Sequence, residues 1–572
     1  MTKGAPSASA PIPAPRSGRP AVWRRRPRLF RVDRWTLGSL LLAALVALPL
    51  VAVLVISVGA DARSFSIIST SLPLYVRTSL LLLAGVGGGT LVIGVGTAWL
   101  VTAYRFPGRG VMTWALLLPL AVPAYISGYV YTDILEYAGP VQGALRDLFG
   151  WQSPRDYWFP AIRSLGGAML VMSLVLYPYV YLMARSAFLQ QNTTLSEAAR
   201  TLGSGPGQVF RRVTMPMARP AVAVGLAIVG METLNDLGTV DYFGVQTLSA
   251  GLYNVWLVLN DPNGAAAIGV VLATMAVLLM TLERLARRRR SHHAMAGRNR
   301  PPRAVRLRGR RGWLALAACA LPVGLGFAVP ALVLARHAWV RSAESWSAGF
   351  AEAAATSLGL SLAAAVLAVA VGLFLAYALR LGAGPLRRGA VRFAAVGYAV
   401  PGAVLALGVL IPFAAFDNAV DGVMRSWFGV STGLLLSGTA AALLFAYVVR
   451  FLALAFGAAE SGLGRISPSL DRAARTLGHG PGGVLRAVHL PLLRGSLLTG
   501  GLLVFVDAMK ELPATLLLRP FGLDTLATWV YQLASDERLE EAALGALLIV
   551  VSGLVPVILL TLGIARSGGE GE

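Results

Sequence analysis

Long apolar runs separated by short basic segments set the pattern of this chain. Runs near 35–59, 78–102, 111–131, 165–184, 220–240 and 264–282 are followed by a second set near 313–335, 354–379, 391–416, 431–449, 495–517 and 544–565. Each comes close to the about 20 residues that an α-helix needs to cross the hydrocarbon core of a bilayer. The pattern predicts an all-α integral membrane protein of about twelve transmembrane helices. The run at 220–240 is the weakest, because it carries Glu232 and Asp236.

Composition sharpens this reading. Only 13% of the 572 residues are charged, against about 25% in soluble domains, which excludes a soluble enzyme, a secreted scaffold and a disordered chain. The net charge of +23 is concentrated between the apolar runs. With residue 1 in the cytoplasm, inside segments hold 39 Arg and Lys and outside loops hold 10, with Lys510 inside a run. That bias places both termini in the cytoplasm and speaks against nucleic acid as a partner. The one cysteine, Cys319, allows no intramolecular disulfide, and the five histidines show no metal-ligand spacing. No stable metal site is expected. Residues 1–34 are rich in Pro, Ala and Arg and read as a disordered basic cytoplasmic N-terminus. Residues 284–312 read as a basic cytoplasmic linker near anionic headgroups, and 567–572 as a cytoplasmic tail.

The linker joins two copies of one unit, 35–283 and 313–566. Residues 197–216 and 472–491 match at 13 of twenty positions with a constant offset of 275, and the same offset places Glu232 on Asp507 and Asp236 on Glu511. Six spans per unit give the two copies the same orientation, so the duplication is parallel, about an axis along the membrane normal. A transverse helix is expected in each repeated loop, with small residues at Ala198-Ala199 and Ala473-Ala474 and a break at Gly203 and Gly478. Pro216 and Pro491 suit the start of the following helix.

The repeated loops, Glu197-Ala198-Ala199 to Gly203 and Pro216, and Arg472-Ala473-Ala474 to Gly478 and Pro491, resemble the EAA loops of binding-protein-dependent ABC importer permeases. The second copy departs from the pattern, with Arg472 in place of the leading acid and Asp471 one residue earlier. The resemblance implies a type I importer-like permease in the bacterial inner membrane, with these loops docking on two ABC ATPase subunits. It also implies an extracytoplasmic binding protein that delivers substrate. A phosphate-binding loop needs a Lys followed by Ser or Thr, and Lys3 and Lys510 precede Gly4 and Glu511. ATP and Mg²⁺ are therefore expected on the partner ATPase, with no cofactor on this chain.

Residues 231–253 and 506–531 resemble the fused ferric-iron importer permeases, which implies ferric iron as substrate, with thiamine, polyamine or phosphonate as alternatives. Acids at bilayer depth are costly, about 2.5–3.5 kcal/mol on insertion scales, and are seldom idle. Glu232 with Asp236, and Asp507 with Glu511, are four residues apart on one helix face and are candidates for lining the pathway. Oxygen ligands suit a hard cation. A plain Asp507–Lys510 salt bridge, or acids serving as caps, is the competing reading. A proton-driven secondary transporter would use the same carboxylates but has no use for paired loops.

Overall fold

The computed structural model describes residues 33–191, 197–199, 201–288, 304–341, 346–382 and 384–568. Most of the N-terminal basic segment, the middle of the linker and the last four residues of the tail lie outside them. Among the described residues, eleven helices are long and apolar enough to cross a membrane, or twelve if a bent pair is one span. The first half contains α1 (Arg34–Val58), α2 (Ala62–Ala103), α3 (Arg109–Ala115), α4 (Ala124–Leu135), α5 (Leu165–Gln190), α6 (Gly207–Asn235) and α7 (Pro262–Arg288). The second contains α8 (Arg310–Val340), α9 (Ala348–Arg380), α10 (Gly402–Phe428), α11 (Ala440–Arg465), the short α12 (Pro468–Thr476), α13 (Pro481–Met509) and α14 (Leu539–Gly568).

Several spans differ from their apolar runs for identifiable reasons. The 111–131 run is no single helix: the segments on either side of Val122-Pro123 meet at 91°. Proline disfavours helical geometry in the residue before it, and Val122 is extended at ψ 115. The 391–416 run breaks in the same way at Val400-Pro401, with Val400 at ψ 92. Helix α2 starts at residue 62, well before the apolar run, because Asp61 caps it through the Ser64 N–H (2.8 Å). The 431–449 run becomes helical only from Ala440. Its first part is a loop in which Gly433 and Gly438 take positive φ and the Asp417 carboxylate accepts the N–H groups of Leu436 and Ser437. The basic linker is shorter than expected. Helix α7 runs to Arg288, and Val305–Arg306 forms a two-residue parallel pairing with Tyr104–Arg105.

The halves exchange their first helices. Helix α1 packs on its own α7 and also on α10 of the other half. A Cβ on Gly408 would come within 2.2 Å of the Pro49 carbonyl, so only glycine lets these backbones approach. At its N-terminal end, Arg387 donates to both Asp33 oxygens (2.7 and 2.6 Å). Helix α8 reciprocates by packing on the first half. A Cβ on Gly326 would lie 2.4 Å from the Leu174 carbonyl, and Tyr131 donates to the Leu325 carbonyl at 2.5 Å.

Candidate functional site

Four interrupted helices meet between the halves. Helix α6 stops at Asn235 and resumes as the short turn Gly238–Tyr242, and α13 stops at Met509 and resumes as Pro513–Leu518. The 220–240 and 495–517 runs are therefore each broken near their C-terminal end. Opposite them lie the breaks before Ala124 and Gly402. The four ends enclose a cavity of about 100 Å³ lined by Glu232, Asn235, Asp236, Asp507, Lys510 and Glu511, with Tyr125, Tyr179, Tyr398 and Arg450. Glycines permit this closeness: a Cβ on Gly402 would sit 2.5 Å from Arg450 Nη1, and one on Gly238 2.6 Å from Leu512.

All four acids border the cavity, but they divide into two kinds. Asp236 accepts from the N–H groups of Thr239 (3.0 Å) and Val240 (3.2 Å) and from the Thr239 hydroxyl (2.9 Å). Glu511 does the same for Ala514 N, Thr515 N and the Thr515 hydroxyl, at 3.0, 3.0 and 2.7 Å. These two duplicated acids satisfy the free donors at the start of the resumed turns, the work of an N-cap. Glu232 and Asp507 hold side-chain partners instead. Tyr398 of the second half donates to Glu232 at 2.7 Å, and Lys510 lies 2.9 Å from Asp507.

Sequence reasoning missed three residues here. Asn235 accepts from Arg450 (2.8 Å) and from the Gly402 N–H (2.7 Å), joining the halves across the cavity. Arg450 also lies 3.8 Å from Glu511. Tyr398, through Glu232, makes a further cross-half bond at the cavity. The available signals were Arg450 at the C-terminal end of an apolar run, and the repeated Ala-Val-Pro at 121–123 and 399–401. Tyr242 stays outside the cavity wall, with the Arg163 guanidinium 4.9 Å above its ring.

The repeated loops share one backbone device. Gly203 and Gly478 take φ +83 and +86, and the residue after each donates five residues back, Ser204 N to Ala199 O and His479 N to Ala474 O (3.0 and 3.1 Å). This is the left-handed glycine that ends a helix in a Schellman arrangement. Glu197 and Ala198 are exposed and Ala199 is half-buried, whereas Ala473 is exposed and Ala474 buried. Residues 192–196 and Arg200, part of the first loop, lie outside the described residues. Pro216 and Pro491 are each the second residue of an α-helical segment, Met215–Asn235 and Leu490–Met509. Each lies inside α6 or α13, one residue after a five-residue π-turn, closed by Met215 N to Phe210 O and Leu490 N to Leu485 O. The wider turn accommodates a proline that lacks the donor and crowds the preceding carbonyl.

Asp471 is turned inward. It accepts from Arg380 Nε and Nη2 (2.9 and 3.0 Å), and His489 Nε2 lies 2.7 Å away. Arg380 also donates to the Leu463 and Ile466 carbonyls. The hydrogen-bonded guanidinium holds the Asp471 carboxyl below the usual carboxylate range, against the opposing effect of partial burial. These contacts clamp α12 to the ends of α9 and α11.

The family model described as "Binding-protein-dependent transport system inner membrane component" matches residues 28–292 and 368–567. The Fe(3+)-transport system permease protein FbpB 2 of Haemophilus influenzae is 24% identical over 85% of this chain and 89% of its own length. The Escherichia coli molybdenum permease ModB is 28% identical over 35% of this chain and 86% of its own, and the sulfate permease CysW of the same species is 30% identical over 34% and 65%. A crystal structure of a bacterial ABC transporter involved in the import of the acidic polysaccharide alginate aligns with TM-score 0.34 and 17% identity, covering 41% of this chain and 85% of that one. The matched residues span both halves, and the chain belongs to the binding-protein-dependent transport system inner membrane component family.

Proposed function

We propose that this multi-pass inner-membrane transport component is the permease of an ATP-driven importer for ferric iron. Both halves of the pore would sit in one chain with both termini in the cytoplasm. The observation that carries the proposal is the meeting of four interrupted helices around a cavity bordered by four carboxylates between duplicated halves. Helices broken within the membrane expose backbone and polar groups where a substrate crosses. An extracytoplasmic binding protein delivers iron to the outer loops. Two separate ATPase subunits receive the helices around Ala198–Gly203 and Ala473–Gly478, with Glu197 exposed as a contact. Asp471 acts as a positioning residue, holding α12 against the membrane helices so that motion of the ATPase pair reaches α9 and α11.

The cavity measures about 100 Å³, and iron crosses it as the halves separate. Glu232 and Asp507, the two acids not used as caps, offer oxygen ligands to a hard cation in transit. A second reading, an oxyanion such as a phosphonate, is favoured by Lys510 and Arg450 in the same wall. Its support among relatives is a putative 2-aminoethylphosphonate permease of Salmonella paratyphi A, 28% identical over 35% of this chain.

The test is ATPase stimulation and uptake in proteoliposomes holding this chain, its ATPase and a candidate binding protein, loaded in turn with ferric iron, a phosphonate, thiamine or a polyamine. Stimulation and uptake with iron alone, both lost in Glu232→Gln/Asp507→Asn, is the expected result. Stimulation only by another substrate would remove iron and leave the importer.

A further inference from the structure

A second concavity lies on the outside of the second half and ends at Phe505, two residues before Asp507 of the axial cavity. It is a groove of about 870 Å³ between α9 and α13. Arg486 and Arg494 stand in its wall, and every other lining residue is apolar, among them Val366, Leu498 and Phe505. Both arginines are exposed. Among the described residues neither makes a salt bridge or a side-chain hydrogen bond. Arg380 and Arg387 of this half are engaged, with Asp471 and Asp33, whereas Arg388, Arg392, Arg465, Arg472 and Arg475 are exposed and, among the described residues, as unpaired as these two. What sets Arg486 and Arg494 apart is that both stand in the wall of an apolar groove. Two guanidinium groups without protein partners beside an apolar groove need an anion that also has an apolar body.

Dimensions agree with one such molecule. Arg494 and Phe505 are eleven residues apart on one helix, about 16 Å at 1.5 Å per residue. Half the hydrocarbon core is about 15 Å. A phosphate held near Arg494 and Arg486 would lay an acyl chain along the groove to the bilayer midplane. We infer that the α9–α13 groove is a binding site for one anionic phospholipid of the cytoplasmic leaflet, its phosphate held by Arg486 and Arg494. The choice of leaflet rests on the orientation proposed above; the pairing of arginines with an apolar groove does not. Basic residues between membrane helices on this side are suited to acidic headgroups. Arg486 lies in the π-turn within the second repeated loop, so the lipid would brace α13 where force from the ATPase enters.

The test is lipid retention by the purified full-length chain, read by native mass spectrometry after exchange into mixed micelles of phosphatidylglycerol and phosphatidylethanolamine. Wild type is expected to keep one phosphatidylglycerol in preference to phosphatidylethanolamine. Arg486→Gln/Arg494→Gln is expected to bind it about 30-fold more weakly, the fold-change for two charges at about 1 kcal/mol each. Val366→Trp, at an exposed position in the groove wall, is expected to abolish retention with both arginines present, by filling the apolar channel. Equal retention of the two lipids, or undiminished retention in either variant, would overturn the site and leave the groove as ordinary bilayer-facing surface. Elution of each variant at the wild-type position confirms folding. Substrate-dependent uptake, measured separately, can fail without changing the lipid result.

Discussion

Gly203 and Gly478 offer a clean perturbation, because nothing lies within 4 Å of a Cβ at either position. A substitution there meets no neighbour, so its whole effect comes from the backbone at φ +83 and +86. Placing an L-residue in the left-handed region costs about 1–2 kcal/mol, and that cost falls on the turn that ends each loop helix. Each alanine should lower the share of loops in the docked geometry by a factor of about 5–30. The two loops share no partner, so the costs should nearly add. Asparagine tolerates this backbone region far better than alanine. Transport and substrate-stimulated ATPase, measured together in proteoliposomes, should therefore fall steeply in Gly203→Ala/Gly478→Ala and recover substantially in Gly203→Asn/Gly478→Asn. Basal ATPase should change least, because it does not need force to pass through the loops. If the alanine and asparagine pairs behave alike, backbone strain is not what matters at these positions, and the reasoning fails.

Two further expectations follow from side-chain chemistry. The Asp471 carboxyl is held low by Arg380, so its stabilising contribution is complete above the unfolded carboxyl pKa of about 3.9 and fades as pH falls through the lower folded value. Asp471→Asn should melt below wild type at neutral pH and lose the pH dependence of melting temperature in that acid window; an unchanged profile would refute the clamp. At the cavity, Asp236→Ala and Glu511→Ala should each cost about 0.5–2 kcal/mol, the range for losing an N-cap. Asp236→Asn, which keeps an acceptor, should cost much less in thermal unfolding; equal losses for Ala and Asn would show that charge rather than capping is required there.

The duplication, the spans and the loop glycines were legible because they depend on local patterns, apolar length and a fixed offset. The breaks were not. Apolar counting treats Val122-Pro123 and Val400-Pro401 as interior to a span, since both valines are as hydrophobic as their neighbours. Asp236 and Glu511 invite a reading as pathway residues because an acid in an apolar run is costly. Their cost is met locally by N–H donors that exist only because the helix stops there. Asn235 and Tyr398 could not be found by spacing, since their partners lie in the other half. Asp471, displaced by one position from the acid of the first copy, could not be placed on Arg380 by spacing, since that partner lies 91 residues earlier.

The exchange of first helices has a consequence for biosynthesis. Asp33 and Arg387 are 354 residues apart, and at about 5–20 residues per second the arginine leaves the ribosome roughly 20–70 s after its partner. During that interval α1 sits in the bilayer with the face meant for α10 uncovered, held only by contacts to its own half. A chain cut short before residue 402 never covers that face, and one lacking α1 leaves Arg387 buried without its carboxylate. An unfinished chain thus exposes a helix face that completion of the second half covers.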